Sequence, residues 1–198
     1  DYLSSRYAKS LGLPLVPVQH HRAHFASVLA EHAIKDAALG FIFDGTGLGD
    51  DGTVWGGEVF FGSVGTSERV GHLLPFPLLG GDAAAREPWR CALALAEAAL
   101  GQEAALAFAP DEKSAQILLR ARDAGINAPL SSSMGRLFDG IAAIAGIRQR
   151  ISYEGQAAAE LEQAADRSVE GSYRFIIIKD EGGLVFDWRD VVAQAARD

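Results

Sequence analysis

The sequence predicts an α/β chain in which a short antiparallel sheet joins a larger helical region. Three observations lead there. Residues 38–75 hold three apolar or alternating runs divided by glycine-bearing links, and short links return a strand antiparallel to its neighbour. Residues 82–108 and 154–168 are alanine-rich, the first with leucines near helical spacing, which favours helix. Residues 173–179 and 184–188 repeat the strand pattern around Glu181-Gly182-Gly183, a hairpin signal.

In chain order, residues 2–11 read as a helix, with Tyr2, Leu3, Tyr7 and Leu11 near helical spacing and Gly12 as the stop. Residues 13–18 are apolar but carry Pro14 and Pro17, which confines them to an exposed or edge strand. Residues 20–32 read as a helix burying Phe25, Val28 and Leu29 on one face. The run 38–44 is too short and too apolar for a surface helix and reads as a fully buried strand. Residues 53–62 and 67–75 supply the next two. Beyond Gly80-Gly81, Asp82 can cap a first turn, and Pro88 moves the true helix start to itself. Pro110-Asp111-Glu112 opens a helix to Asp123, ended by Gly125. Ser131-Ser132-Ser133 precedes a helix over 134–145, ended by Gly146. Residues 154–168 form another helix, and a last one starts near Asp187 and still runs at Asp198. An open-ended final helix makes the chain read as a piece of something longer.

Bulk properties exclude several classes. A length of 198 residues supports one sizeable core or two modest lobes. The net charge of −8 disfavours nucleic acid and acidic membranes as partners. No apolar run approaches the ~20 residues of a membrane span, and the N-terminus lacks a signal-peptide pattern. Cys91 is the single cysteine, so no internal disulfide forms, which fits a reducing cytoplasm.

Chemistry concentrates between His20 and Gly57. His20 and His24 stand at i and i+4, so on a helix both imidazoles face one way and can take neighbouring positions on one metal ion. A third ligand, a carboxylate from elsewhere, is needed; without it they are two exposed helix histidines. His21 points to another side of that helix, and His32 suits its C-terminus as a cation. Asp44-Gly45-Thr46-Gly47 follows the first strand. Its glycines can turn N–H groups toward an anion, Thr46 adds a hydroxyl, and Asp44 can hold a metal or a water. The same residues also suit an acidic hairpin loop. Asp139, one turn after Gly135, can bond a ribose hydroxyl if it faces inward, or form a surface salt bridge. Tyr153-Glu154-Gly155-Gln156 is a glycine-bearing loop leading into a helix. Cys91 reads as core, with no base beside it.

Together these blocks resemble the HypF carbamoyltransferases of [NiFe]-hydrogenase maturation, in their Kae1-like domain. The matching stretches are Tyr2-Leu3-Ser4, Val18-Gln19-His20-His21-Arg22-Ala23-His24, Phe43-Asp44-Gly45-Thr46-Gly47, Asp51-Gly52-Thr53-Val54-Trp55-Gly56-Gly57-Glu58, Arg86-Glu87-Pro88-Trp89-Arg90, Gly135-Arg136-Leu137-Phe138-Asp139 and Tyr153-Glu154-Gly155-Gln156-Ala157-Ala158. The resemblance implies an actin-like ATPase fold of the ASKHA group, with RNase H-like lobes and a large helical insert, present here as an incomplete internal fragment. Residues 1–36 would end the first lobe with the histidine helix. Residues 37–198 would form part of the second: strands over 38–75, a helical region over 82–168, a hairpin over 173–188 and the final helix. It implies that carbamoyl-adenylate, made from carbamoyl phosphate and ATP, gives its carbamoyl group to the C-terminal cysteine of a partner, HypE, for cyanide ligand synthesis. It implies His20 and His24 as ligands of a divalent metal, Fe or Zn, with a further family ligand expected beyond Asp198. Asp44 would be catalytic beside the metal and phosphates, and Gly45, Thr46, Gly47, Asp139 and Gly155 would lie at the ATP or carbamoyl-adenylate. The family's middle histidine is Arg22 here, and a second glycine of related tRNA-modifying proteins is Gln156. Two other readings compete: an O-carbamoyltransferase of natural-product synthesis with a small hydroxyl acceptor, and a non-catalytic metal- or nucleotide-binding module.

Overall fold

The structure is a computed structural model that describes residues 3–166 and 168–198; Tyr2 lies outside them. Helix α1 (Leu3–Ser10) buries no residue, and its apolar side chains Leu3 and Tyr7 face outward. Residues 13–18 are not the expected strand. They carry no strand pairing among the described residues and are exposed, two prolines having removed two ladder donors. Helix α2 (His20–Glu31) starts at Gln19, whose side-chain oxygen accepts the Arg22 N–H at 2.9 Å. Its buried residues are His21, Phe25 and Leu29, spaced by four. Val28 falls off that narrow stripe and is half exposed, contrary to the sequence reading.

Strands β1 (Ala38–Leu48), β2 (Val54–Gly62) and β3 (Ser67–Leu73) form the expected antiparallel meander. Strand β1 departs from expectation twice. It runs through the glycine-rich stretch to Leu48, so Asp44 lies within the strand rather than at its end. It is also not fully buried: Ile42 packs inward, whereas Leu39, Phe41 and Phe43 are 56 to 58% exposed. Helix α2 covers one face only, and on the other face Phe41 and Phe43 border an apolar groove shared with Phe138 and Phe186.

Two-residue strands β4 (Phe76–Pro77) and β5 (Leu130–Ser131) extend the sheet, β5 running parallel to the start of β2 at Val54. After a 3-10 turn at Gly81–Ala85, helix α3 (Pro88–Leu100) begins at its proline as expected. A short α4 (Gln102–Ala105) and a 3-10 turn lead to α5 (Glu112–Asp123), capped by the Asp111 carboxylate on the Ser114 N–H at 2.8 Å. Helix α6 (Met134–Ile144) is capped by Ser133, and α7 (Gln156–Ala164) opens at Gly155 and ends earlier than expected. The hairpin β6 (Ile176–Asp180) and β7 (Gly183–Asp187) joins the sheet through β7, parallel to β3. Helix α8 (Arg189–Ala195) closes before Asp198 rather than running through it, the Ala196 N–H turning back to the Val192 carbonyl. Among the described residues no helix is long and apolar enough to cross a membrane.

The main core gathers Leu93 and Leu95 of α3, Leu73 and Phe76 of the sheet, and Trp188 and Val192 around α8. The Trp188 indole N–H also donates to the Leu74 carbonyl at 2.6 Å, fastening α8 to the end of the meander. A second core of Phe25, Leu29, Trp55 and Phe60 pins α2 to the sheet. Cys91 sits wholly inside the first, and burial pushes its thiol up to about 12. Only the thiolate is a strong nucleophile, so Cys91 should resist a thiol reagent in the native chain and react in full once guanidinium unfolds it. Rapid native labelling would contradict this packing.

Candidate metal centre

A β-bulge builds the site. Phe43 pairs with Gly57 and Gly47 with Trp55, so β1 advances four residues where β2 advances two. The extra residues throw Asp44 toward α2. A Cβ on Gly56, opposite the bulge, would lie 2.4 Å from the Asp44 carbonyl oxygen, so only glycine lets the bulge seat there. Asp44 Oδ1 accepts the Gly45 N–H at 2.6 Å, which leaves Oδ2 for the helix.

Helix α2 meets that oxygen with its first turn. His20 Nε2 lies 3.0 Å from Asp44 Oδ2, and His24 Nε2 lies 3.2 Å from His20 Nε2. One ligand atom from each of His20, His24 and Asp44 falls within 4.8 Å of the others. Two imidazoles and a carboxylate suit a divalent transition metal such as zinc or iron. The two histidines are the pair read from their spacing, and Asp44, expected as a catalytic residue, is the carboxylate that stands beside them. Arg22 turns away: it bonds the Ser67 carbonyl, stacks over Phe60 at 5.4 Å and faces Asp50.

His21, on another side of the helix by its spacing, is completely buried, and its Nε2 lies 3.6 Å from Asp44 Oδ2. Burial lowers its pKa, against opposing charges on Glu58 and Asp44. Behind it, the Trp55 ring lies 5.9 Å away and carries the Arg69 guanidinium at 4.1 Å. Arg69 Nε donates to Glu58 at 2.5 Å, and Trp55 Nε1 donates to Asp51 at 3.0 Å. Burial raises the Asp51 carboxyl, but hydrogen bonds from Thr53 and Trp55, with the Arg69 charge, outweigh that and hold it low.

The other side of the bulge faces α6. The Ser133 hydroxyl donates to the carbonyls of Asp44 and Gly45 at 2.9 and 2.8 Å while accepting the Arg136 N–H at 3.1 Å. A Cβ on Gly45 would lie 3.6 Å from an Arg136 terminal nitrogen and 3.8 Å from a Glu154 carboxylate oxygen. Asp139 is neither on the surface nor at an open cleft. It is buried against Arg136 at 2.9 Å, burial raising its carboxyl against the lowering effect of that arginine. Gly155, at φ +76, opens α7 with free space around it. Next to it, Gln156 accepts the Ser152 N–H at 2.8 Å and donates to Glu160, stapling the loop. Thr46 is exposed and gives its hydroxyl to the Gly45 carbonyl. The residues sequence reading missed are His21, Glu58, Ser133 and Arg136; their signal is burial, which local pattern does not carry.

Gly47 has a packing duty. A Cβ there would lie 2.4 Å from His21 Cε1 and 2.8 Å from His20 Cδ2, whereas at Gly45 it meets only ordinary contacts. Gly47→Ala should therefore lower the melting temperature by several degrees, on the order of 1–3 kcal/mol of overpacking, and Gly45→Ala by less. Equal shifts in thermal unfolding would show that the histidines do not rest on Gly47.

Comparison with known proteins places this geometry. The carbamoyltransferase Kae1-like domain, second subdomain, matches residues 40–198, and the HypF Kae1-like domain matches residues 1–31. The chain is 49% identical to Carbamoyltransferase HypF2 of Cupriavidus necator over 84% of its own length and 21% of the relative's. It is 45% identical to Carbamoyltransferase HypF of Rhizobium leguminosarum bv. viciae, over 99% of itself and 25% of that protein. The chain thus spans about a quarter or less of the length of these relatives. A crystal structure of full-length HypF in its phosphate- and nucleotide-bound form superposes with a TM-score of 0.93 at 40% identity, covering 100% of this chain and 26% of that one. The HypF of T. kodakarensis gives 0.79 at 28% identity, over 97% and 26%. The mixed α/β fold with its bulged sheet is therefore Kae1-like, and the chain belongs to the HypF carbamoyltransferase family.

Proposed function

We propose that this chain is the metal-bearing part of a cytoplasmic carbamoyltransferase of hydrogenase maturation. The protein moves a carbamoyl group from carbamoyl-adenylate, made from carbamoyl phosphate and ATP, to the C-terminal cysteine of HypE. The single observation that carries the reading is the convergence of His20, His24 and Asp44 at the bulge, in a chain of this family.

His20, His24 and Asp44 would hold the divalent metal, which when bound acts as a Lewis acid on a phosphoryl or carbonyl oxygen. The chain's own residues supply the rest. Asp44 is fixed at Oδ1 by the Gly45 N–H, so its other oxygen stays directed at the histidines. On the far side of Gly45, the first turn of α6 brings the positive end of its helix dipole. Arg136, backed by Asp139, adds a cation there. Gly45, Thr46 and Gly47, with Gly155, frame the nucleotide side in this reading, whereas Asp139 acts from inside the fold through Arg136. The acceptor thiol comes from the partner, since Cys91 is buried and protonated.

In a full-length HypF carrying this segment, Asp44→Asn should fold normally and lose carbamoyl transfer by roughly 100-fold or more, the scale of one transition-state electrostatic contact. On the chain itself, zinc titration should show binding that His20→Ala/His24→Ala abolishes. Wild-type transfer by a folded Asp44→Asn protein, or equal zinc content in the double variant, would sink this assignment.

A further inference from the structure

The family match assigns no task to His21, and the metal centre as read does not use it. Its ring is wholly buried, and among the described residues its Nε2 has no hydrogen-bond partner. Asp44 Oδ2 lies 3.6 Å from that nitrogen. Which ring nitrogen carries the proton follows from Gln19. That side chain accepts the Arg22 N–H with its oxygen at 2.9 Å and gives its amide nitrogen to the Leu48 carbonyl at 3.0 Å. A backbone N–H can only donate and a carbonyl can only accept, so both ends of the Gln19 amide are identified. The same amide nitrogen stands 3.0 Å from His21 Nδ1. It can only donate, so Nδ1 must be the bare acceptor and the proton of the neutral ring sits on Nε2.

We infer that His21 is a positioning residue for Asp44, held by Gln19 as the Nε2–H tautomer so that this N–H faces the carboxylate oxygen shared with His20. The inference rests on the reading of His20, His24 and Asp44 as a metal centre. In the free chain, His20 Nε2 is the close partner of Asp44 Oδ2, at 3.0 Å, and His21 stands second. A His20 that lends its Nε2 lone pair to a cation has no proton there to give Asp44. His21 is then the donor left beside that oxygen, and its N–H keeps the carboxylate turned toward α2. Gly47 is part of the device, because a Cβ at that position would lie 3.0 Å from His21 Nε2 and displace the ring.

The test uses the 198-residue chain with zinc(II) as probe. Nitrogen-15 NMR of the histidines should show His21 with a protonated-type Nε2 and an unprotonated-type Nδ1; the reverse assignment overturns the inference. Zinc affinity is then measured by chelator competition in four variants, with circular dichroism and thermal unfolding confirming the fold. His21→Leu removes the donor and should weaken binding by about 10-fold or more, the scale of losing an outer-shell partner. His21→Gln offers an amide N–H in its place and should recover most of that loss. Gln19→Glu keeps the helix cap but turns the amide donor into an acceptor. It should drive the His21 proton to Nδ1 in the NMR spectrum and weaken zinc to a similar degree, which decides the matter if His21→Leu fails to fold. Zinc binding that depends on His20 and His24 but is unchanged in His21→Leu or Gln19→Glu overturns this inference alone. Zinc binding that survives His20→Ala/His24→Ala removes the metal-centre reading, and this inference with it.

Discussion

Glu58 is fully buried in the middle of β2, and a carboxylate without water must find its donors inside the fold. It finds them in three separate segments. Arg69 donates from β3, the Ser132 hydroxyl donates from the turn before α6, and the Gly56 and Gly57 N–H groups close the set at 3.2 and 3.3 Å. One side chain thereby fixes the register of two strands and the start of a helix. Removing one partner of such a buried pair costs about 3–5 kcal/mol, because the other charge is left stranded. That asymmetry makes the arrangement a device of position: each partner tolerates few other places.

The site hangs on this anchor at both ends. Toward α2, Arg69 lies on Trp55, and Trp55 forms the wall behind His21. Toward α6, Ser132 on Glu58 sets the height of Ser133, and Ser133 ties the helix start to the carbonyls of the bulge. Asp44 thus sits between two helices that are indexed to the same carboxylate. Phe25, Leu29, Trp55 and Phe60 supply the apolar area that holds α2 down, while the polar contacts decide its rotation and height.

What the sequence disclosed follows from the range over which each feature is determined. The meander, the helix starts at Pro88, Asp111 and Ser133 and the glycine stops are set by neighbours within a few residues, and all were legible. The pair His20 and His24 was legible for the same reason, since a helix alone puts i and i+4 together. The bulge was not, because Asp44-Gly45-Thr46-Gly47 reads as a loop until the partner strand shows a continued register to Leu48. Glu58 was not, because a charge in an alternating strand reads as its wet face. Residues 13–18 misled for the opposite reason: apolar composition suggested a strand, but strand status depends on an edge to pair with. The exposed Leu39, Phe41 and Phe43 show that an apolar run reports a preference for burial and leaves open which element covers each face.

The bulge also explains how a chemically demanding position coexists with an ordinary sheet. Side chains alternate with a period of two, so one extra residue would turn every later residue of β1 to the opposite face. Here the excess is two, yet the inward-facing set changes parity across the bulge: Ile42 packs inward before it and Gly47, five residues later, is buried under the histidines after it. The distortion is spent on Asp44, Gly45 and Thr46 alone. A loop of the same composition would leave Asp44 free to swing, and each ordering of its carboxylate would cost entropy at the moment of binding. On the bulge, Oδ1 is already satisfied by Gly45 and Oδ2 is already between His20 and His21, so that cost is met when the sheet folds. Arg22 stands clear of this arrangement, because its side chain serves the contact of α2 with Phe60 and the start of β3, on another side of the helix from His20 and His24.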